Sequence, residues 1–379
     1  MKHLVRGMVL VTALLLMAAS PALASTVEGD EFSNFVFVRA AGGETNNISV
    51  SGTNQTITVT DSAGVSSTRP NCSGGPNSVT CTTNGLFSFD QVIVSAGDGN
   101  DVVTLSLSRS GGPNAPGLPA TVSGGPGNDN INNASAVAAS LAGDAGDDRV
   151  SGGSSQDQID IRSKTDIVDP FGVDASQADV GNDTLLGGAG RDRIRAGDGA
   201  DTVDGGDGGD FIESITLEQS FIGGVNAFSI ADDKAVDQIV CGPNTPEPGD
   251  FADRGIGDGV QMGSGDRVDL DCEFVSQLVT CPSGSSCEVV VTVTANSAAS
   301  ASSSLASAAA SKRKGKQRTL GREKLKLRPR QSLPVEIRLR KKTARKTLGK
   351  RSRMSATLKV ELERKGKDKK KKVRFKLKR

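Results

Sequence analysis

The sequence predicts an all-β protein: a long stack of very short strands, with further β elements at both ends. Two observations predict it. A nine-residue pattern of glycine, aspartate and one aliphatic recurs through the middle of the chain. The flanks alternate apolar with polar residues over runs of about four to eight positions, the period of a half-buried strand.

The chain has 379 residues and a formal charge of +1, but its charge is segregated. Between Lys312 and Arg379 lie 31 of the 45 Lys and Arg, against five acids, whereas residues 25–311 hold 12 basic residues and 39 acids. An acidic body carries a basic tail, and the two are read separately.

Residues 1–24 read as a secretory signal. Lys2 and Arg6 supply the positive end, Met8 to Ala19 the apolar stretch, and Ala22-Leu23-Ala24 the small-x-small cleavage site after Ser20-Pro21. An uncleaved anchor is the competing reading, but the apolar run is too short to span comfortably. No later segment is apolar enough to cross a bilayer. The only histidine, His3, leaves with the signal. That excludes Ser-His-Asp and Cys-His catalysis, H-E-x-x-H zinc hydrolysis and histidine general bases. Carboxylate-only chemistry of the glycosidase kind stays formally open, though with 12 Phe and no Trp or Tyr the chain offers sugars few platforms. The reading is of a protein that is not an enzyme.

Export brings an oxidising compartment. The six Cys allow 15 connectivities, and local pairing is the economical one: Cys72–Cys81, Cys241–Cys272 and Cys281–Cys287. A zinc site is a weak competitor, because no C-x-x-C pair and no histidine accompany them.

Residues 25–95 read as an N-terminal β cap: FVFV, NISVSG, QTITVTD and FDQVIVS are short strands with polar turns between. Asp61 lies in this cap, outside the repeats, and is expected to be silent in their chemistry.

Residues 96–213 carry the repeat. GGAGRDRIR, AGDGADTVD and GGDGGDFIE follow one another from Gly187 to Glu213, and ADVGNDTLL precedes them in frame from Ala178. GDAGDDRVS, GGSSQDQID and IRSKTDIVD abut from Gly143, with GGPGNDNIN from Gly124 and AGDGNDVVT from Ala96 further upstream. The sixth residue of each is Asp101, Asp129, Asp148, Asp157, Asp166, Asp183, Asp192, Asp201 or Asp210. The eighth is Val103, Ile131, Val150, Ile159, Val168, Leu185, Ile194, Val203 or Ile212. The Gly-rich six suit a tight turn needing positive φ. The last three are a short strand whose central aliphatic points inward. One unit buries nothing by itself; stacked units build a continuous core, and two units make one coil. Stacking also brings like charges together, since Ala178 to Glu213 holds nine acids and three Arg. A divalent cation between turns relieves the repulsion, and carboxylate and carbonyl oxygens are hard donors suited to Ca²⁺.

These units resemble the RTX (hemolysin-type) calcium-binding repeat, G-G-x-G-x-D-x-U-x. The resemblance covers roughly Phe35 to Glu273. It implies a parallel β-roll, with calcium as the bound ion between turns n and n+2. Carried over, it pairs Asp183 with Asp201, Asp192 with Asp210 and, less regularly, Asp148 with Asp166. Asp129 and Asp148 fall one residue out of register, as do Asp166 and Asp183, so irregular loops are expected there, including Pro170 to Gln177. An EF-hand fits poorly, since no D-x-[DN]-x-[DN]-G loop is present.

Residues 214–280 read as a degenerate repeat cap with a disulfide, echoing the pattern at Gly255 to Val260 and Gly263 to Val268. Residues 281–379 read as a basic module: a strand at Glu288 to Asn296, a Ser/Ala-rich linker over 295–311, and the alternating runs KLKLR, VEIRLR, LKVELER and VRFKLK. These form a half-buried antiparallel sheet, a small β-sandwich completed by the Glu288 strand, with KKTARKTLGK as a short helical turn. The expected function is that of a secreted calcium-binding protein whose roll folds around its ions. The alternative is a cell-surface adhesin, with the basic module holding anionic envelope polymers on a calcium-stiffened stalk. Sequence-specific nucleic-acid binding is not expected, with Phe375 the lone aromatic in the tail.

Overall fold

A computed structural model describes residues 25–29, 34–83, 88–109, 117–160, 181–213, 216–222, 225–231, 237–241, 259–261, 267–269, 272, 274–281, 286–296, 317–328, 332–349, 353–363 and 369–378. The signal-like leader, Asp166, Val168, the segment Pro170 to Gln177 and the linker from 297 lie outside these residues.

Two long sheets dominate, of 12 and 15 strands. Each contains nine consecutive parallel strands, and the chain passes from one sheet to the other as it climbs. The first sheet runs in parallel from Phe35–Ala40 to Phe274–Thr280, and the second from Asn47–Gly52 to Lys369–Lys378. This is the parallel roll. It begins at Phe35, well before the first Gly/Asp unit, and continues past Glu213.

The register explains why three-residue strands suffice. Val150 lies opposite Leu185 and Leu185 opposite Val203, while Ile159, Ile194 and Ile212 align in the other sheet. All six side chains are fully buried, in one core that reaches from Val27 to Leu377. Burying such an aliphatic stabilises by ~1.5–3 kcal/mol. Each coil has only about two of them, so the turns carry an unusual share of the fold.

The N-terminal end is closed by antiparallel strands. Ser25–Glu28 pairs with Phe35–Ala40, Thr56–Asp61 with Asn47–Gly52, and Ser78–Thr82 with Thr56–Asp61. After Glu213 the chain makes an antiparallel hairpin, Thr216–Ile222 with Val225–Ala231, that belongs to neither long sheet and that the repeat pattern does not announce. It then re-enters the stack at Gln238–Val240, Gly259–Gln261, Arg267–Asp269 and Phe274–Thr280.

The basic module is two-layered, as expected, but its layers are continuations of the roll's own sheets. Ser332–Arg338 adds antiparallel to Phe274–Thr280, and Lys369–Lys378 adds parallel to Arg267–Asp269. Lys369–Lys378 leads on to Arg353–Glu363, Cys287–Asn296 and Gln317–Leu327. The strand ends at Asn296, two residues into the expected linker. The helix Lys341–Leu348 buries Ala344, Thr347 and Leu348 and ends at Gly349, whose φ of 63° needs glycine and whose N–H bonds the Arg345 carbonyl. It is the only helix among the described residues. No helix there is long and apolar enough to cross a membrane. The three disulfides pair as expected: Cys72–Cys81, Cys241–Cys272 and Cys281–Cys287.

Candidate metal centre

Every described sixth-place aspartate stands immediately before a strand, where the turn enters a sheet, and every one is buried. At the edge leading into the second sheet, each Oδ1 accepts the backbone N–H of the equivalent residue one coil earlier. Asn46 donates to Asp101 (2.7 Å), Asp101 to Asp129 (2.7 Å), Asp129 to Asp148 (2.7 Å), Asp148 to Asp183 (2.6 Å) and Asp183 to Asp201 (2.9 Å). Asp201 donates in turn to Asp237 (3.0 Å). The opposite edge has a shorter ladder: Ala139 donates to Asp157 (2.7 Å), Asp157 to Asp192 (2.6 Å) and Asp192 to Asp210 (2.9 Å).

The expected pairs Asp183 with Asp201 and Asp192 with Asp210 are therefore adjacent rungs. The pairing of Asp148 with Asp166 is corrected: the partner of Asp148 is Asp183, and Asp157 likewise steps to Asp192, so both ladders close across residues 161–180. The irregular spacing of Asp129 and Asp148 does not disturb their contact. Asn130 to Asn132 align with Arg149 to Ser151 at the same offset of 19 that aligns Ala120 with Ala139. The extra residue falls between Asn133 and Ala139, because Ser140 aligns with Gln158 at an offset of 18.

A second ladder was not legible at the level of the repeat formula. The fifth-place residue also bonds between coils, in the opposite direction: Asn128 N–H to Asn100 Oδ1 (2.9 Å), Asp147 N–H to Asn128 Oδ1 (3.1 Å), Asn182 N–H to Asp147 Oδ1 (2.7 Å) and Ala200 N–H to Asn182 Oδ1 (2.9 Å). The signal was the dipeptide Asn-Asp or Asp-Asp at places five and six. Asp237 and Asn46 were missed too, though each keeps an aliphatic two residues on, Ile239 and Ile48. Asp61 has a local structural role in the cap: it accepts from the Ser25 hydroxyl (2.6 Å) and from the N–H groups of Asn47 (3.2 Å) and Ala63 (3.1 Å), beside the first rung.

The second carboxylate oxygen tests whether an ion fits. The Oδ2 atoms of Asp101, Asp129 and Asp148 are buried without a hydrogen-bond partner, a situation that leaves a desolvated charge uncompensated. Desolvation accordingly pushes the Asp129 carboxyl up to about 8 and that of Asp148 to about 7, and raises Asp101 as well. The oxygens face the turns. A Cβ placed on Gly124 would overlap Asp129 Oδ2, and one on Gly127, where φ is +147°, would overlap the Gly99 carbonyl of the coil before. Glycine thus leaves room for stacked carbonyls and carboxylates, a set of hard oxygens that fits Ca²⁺. Among the described residues no three carboxylate or thiolate side chains converge on a point, so such an ion draws much of its shell from turn carbonyls. Asp157 differs. Its Oδ1 accepts from Ala139 N–H and Asn133 Nδ2 (3.0 Å), and its Oδ2 from Gly153 N–H (2.6 Å), so both oxygens are engaged. Its carboxyl is nonetheless raised, chiefly by desolvation.

These turns and the parallel sheets define a class, the β-roll with calcium-binding turns. The profile of the RTX calcium-binding nonapeptide repeat matches the chain in four copies, at residues 140–160 and 177–212. The break between the matches falls within the segment that the two ladders bridge. No curated protein and no solved structure matches the chain. The chain carries RTX calcium-binding repeats on a β-roll, and calcium is the ligand those repeats take.

Proposed function

We propose that this is an exported, non-enzymatic protein whose roll completes its folding on calcium. The sixth-place aspartates Asp101, Asp129, Asp148, Asp183 and Asp201 hold ions on one edge, and Asp192 and Asp210 on the other. The observation that carries this reading is the row of buried carboxylates whose second oxygens face stacked glycine turns. Export is supported by the signal-like leader and the three disulfides. Extracellular calcium modules bind with dissociation constants of ~10⁻⁴–10⁻³ M, so the ions would fill on leaving the cell. The absence of a catalytic role rests on the processed chain having no histidine and on its aspartates being tied into backbone ladders. Calorimetric titration of the full chain with calcium, alongside circular dichroism in chelator, tests the reading. The expected result is multiple ions bound and a melt that moves up with calcium; a site filled to 100 times its dissociation constant adds ~2.7 kcal/mol. A cooperative melt identical in chelator and calcium would sink it.

The adhesin reading is favoured by one further observation: Arg322, Lys326, Lys372, Arg374 and Lys376 make no ion pair with any described residue. Retention of the full chain on heparin resin at low salt, lost at 1 M salt where electrostatic reach shrinks to about 3 Å, is the expected outcome.

A further inference from the structure

The outer face of the terminal sheet carries two parallel rows of cations. Gln317–Leu327 forms its edge, followed by Cys287–Asn296, Arg353–Glu363 and Lys369–Lys378. Arg322, Lys324 and Lys326 alternate along the first strand, and Lys372, Arg374 and Lys376 along the last. Arg322 lies opposite Thr292, Thr292 opposite Lys359, and Lys359 opposite Lys372, so both rows share one face. Within a row the charges recur every ~6.6–6.8 Å, and three strand spacings put the rows about 14 Å apart.

Between the rows lies a floor of small hydroxyls: Thr292, Thr294, Ser355 and Thr357. Thr294 Oγ1 accepts from Gln317 Nε2 at 3.0 Å. On this face Glu288 is matched by Lys324 and Glu361 by Lys359, and Glu363 occupies the position opposite Glu288. The roll's sixth-place aspartates lie in its turns; two strand acids, Asp204 and Asp269, occupy positions on this side of the second sheet, Asp269 opposite Lys378. From Lys376 the aligned positions across the second sheet run Arg267, Gln238, Thr202, Thr184 and Arg149, without an acid.

We infer that this face binds a linear, phosphodiester-linked glycopolymer, with phosphates along the cation rows and hydroxyl-bearing units over the Thr/Ser floor. The inference rests on the adhesin reading and gives it a surface and a ligand class. Single-stranded nucleic acid would look for aromatic side chains to stack its bases, and the outer positions of these four strands hold none. A membrane surface would look for apolar side chains beside the cations; the aliphatic outer position, Val290, is buried.

The test uses the full calcium-loaded chain and poly(glycerol phosphate) of defined length, with binding measured across a salt series. R322Q/K324Q/K326Q and K372Q/R374Q/K376Q each remove one row. K342Q/R345Q/K346Q removes the same charge from the helix. The K372Q/R374Q/K376Q variant is expected to flatten the salt dependence by about 2 in slope and the R322Q/K324Q/K326Q variant, whose Lys324 is paired with Glu288, by about 1.4, at ~0.7 per lost phosphate contact, and the helix variant to leave it unchanged. R374Q alone, expected to lower the slope by ~0.7, serves if a triple variant folds poorly. Poly(U) and phosphatidylglycerol vesicles are expected to bind more weakly than the glycerol polymer. Equal losses in the helix and row variants, or tighter binding to poly(U) or vesicles, would overturn the inference. Heparin retention that persists in the row variants rejects this surface alone. Failure of the unmodified chain to bind any polyanion rejects the adhesin reading with it.

Discussion

The two edges of the roll start from the same nonapeptide and end differently. At the edge entering the second sheet, side chains tie each coil to the next in both directions, through the fifth-place Asn or Asp and through the sixth-place Asp. At the edge entering the first sheet the fifth places are Gln156, Arg191 and Gly209, and the ladder rests on Asp157, Asp192 and Asp210 alone. On the second-sheet edge Asp101, Asp129 and Asp148 have an unpartnered oxygen, whereas Asp157 on the other edge has both oxygens engaged. A sixth-place aspartate therefore has two separable roles. One oxygen fixes coil register through the backbone. The other, where the turn does not occupy it, is the oxygen we propose for the ion.

The largest expected effect concerns pH. With Asp129 raised to about 8 and Asp148 to about 7, the calcium-free fold prefers these groups protonated, while the unfolded chain titrates near 4. Their contribution is full below about pH 4 and is lost as pH rises through 7 and 8. A bound ion prefers the ionised form. The melting temperature in chelator should thus fall between about pH 5 and pH 8, whereas in saturating calcium it should stay nearly level, because ion-bound and unfolded carboxylates are both ionised there. An equally steep fall in both solutions would contradict the ion-binding role of these oxygens.

The next comparison separates register from ion binding. Asp201→Ala removes the acceptor for the buried Asp183 N–H, at a cost of ~1–3 kcal/mol, and should also lower the calorimetric ion count. Asp157→Ala strips three donors of their acceptor and should destabilise at least as much, yet leave the ion count unchanged. If both variants lose the same number of ions, saturation of Asp157 does not exclude it from the metal site.

Asp61→Ala should unseat Ser25 and Asn47 and cost ~1–3 kcal/mol at the N-terminal end, read by hydrogen exchange in Asn47–Gly52, with calcium binding at Asp183 and Asp201 unaltered. The smallest effect is expected from Asn182→Ala. It leaves the Ala200 N–H to water at an exposed turn, so chemical denaturation should show a loss of ~0.5–1 kcal/mol, with no change in calcium affinity.

Much of this molecule was set by the sequence alone. The period of nine fixed the coil, because glycine, aspartate and an inward aliphatic recur in phase; Val150, Leu185 and Val203 stack for that reason. The even, local spacing of the cysteines was enough to pair them. What the chain order could not supply was which coil lies on which. Asp148 meets Asp183 because backbone pairing passes from Arg149–Ser151 to Thr184–Leu186, over a stretch that includes the glycine-free unit Ile161 to Asp169. The C-terminal strand enters the roll's second sheet because a parallel sheet ends in an open row of N–H and C=O groups that Lys369–Lys378 can pair. The state of each carboxylate was likewise decided in three dimensions. Asp148 and Asp157 occupy the same place in the repeat formula, but burial and neighbouring donors leave one with an open oxygen and the other with none.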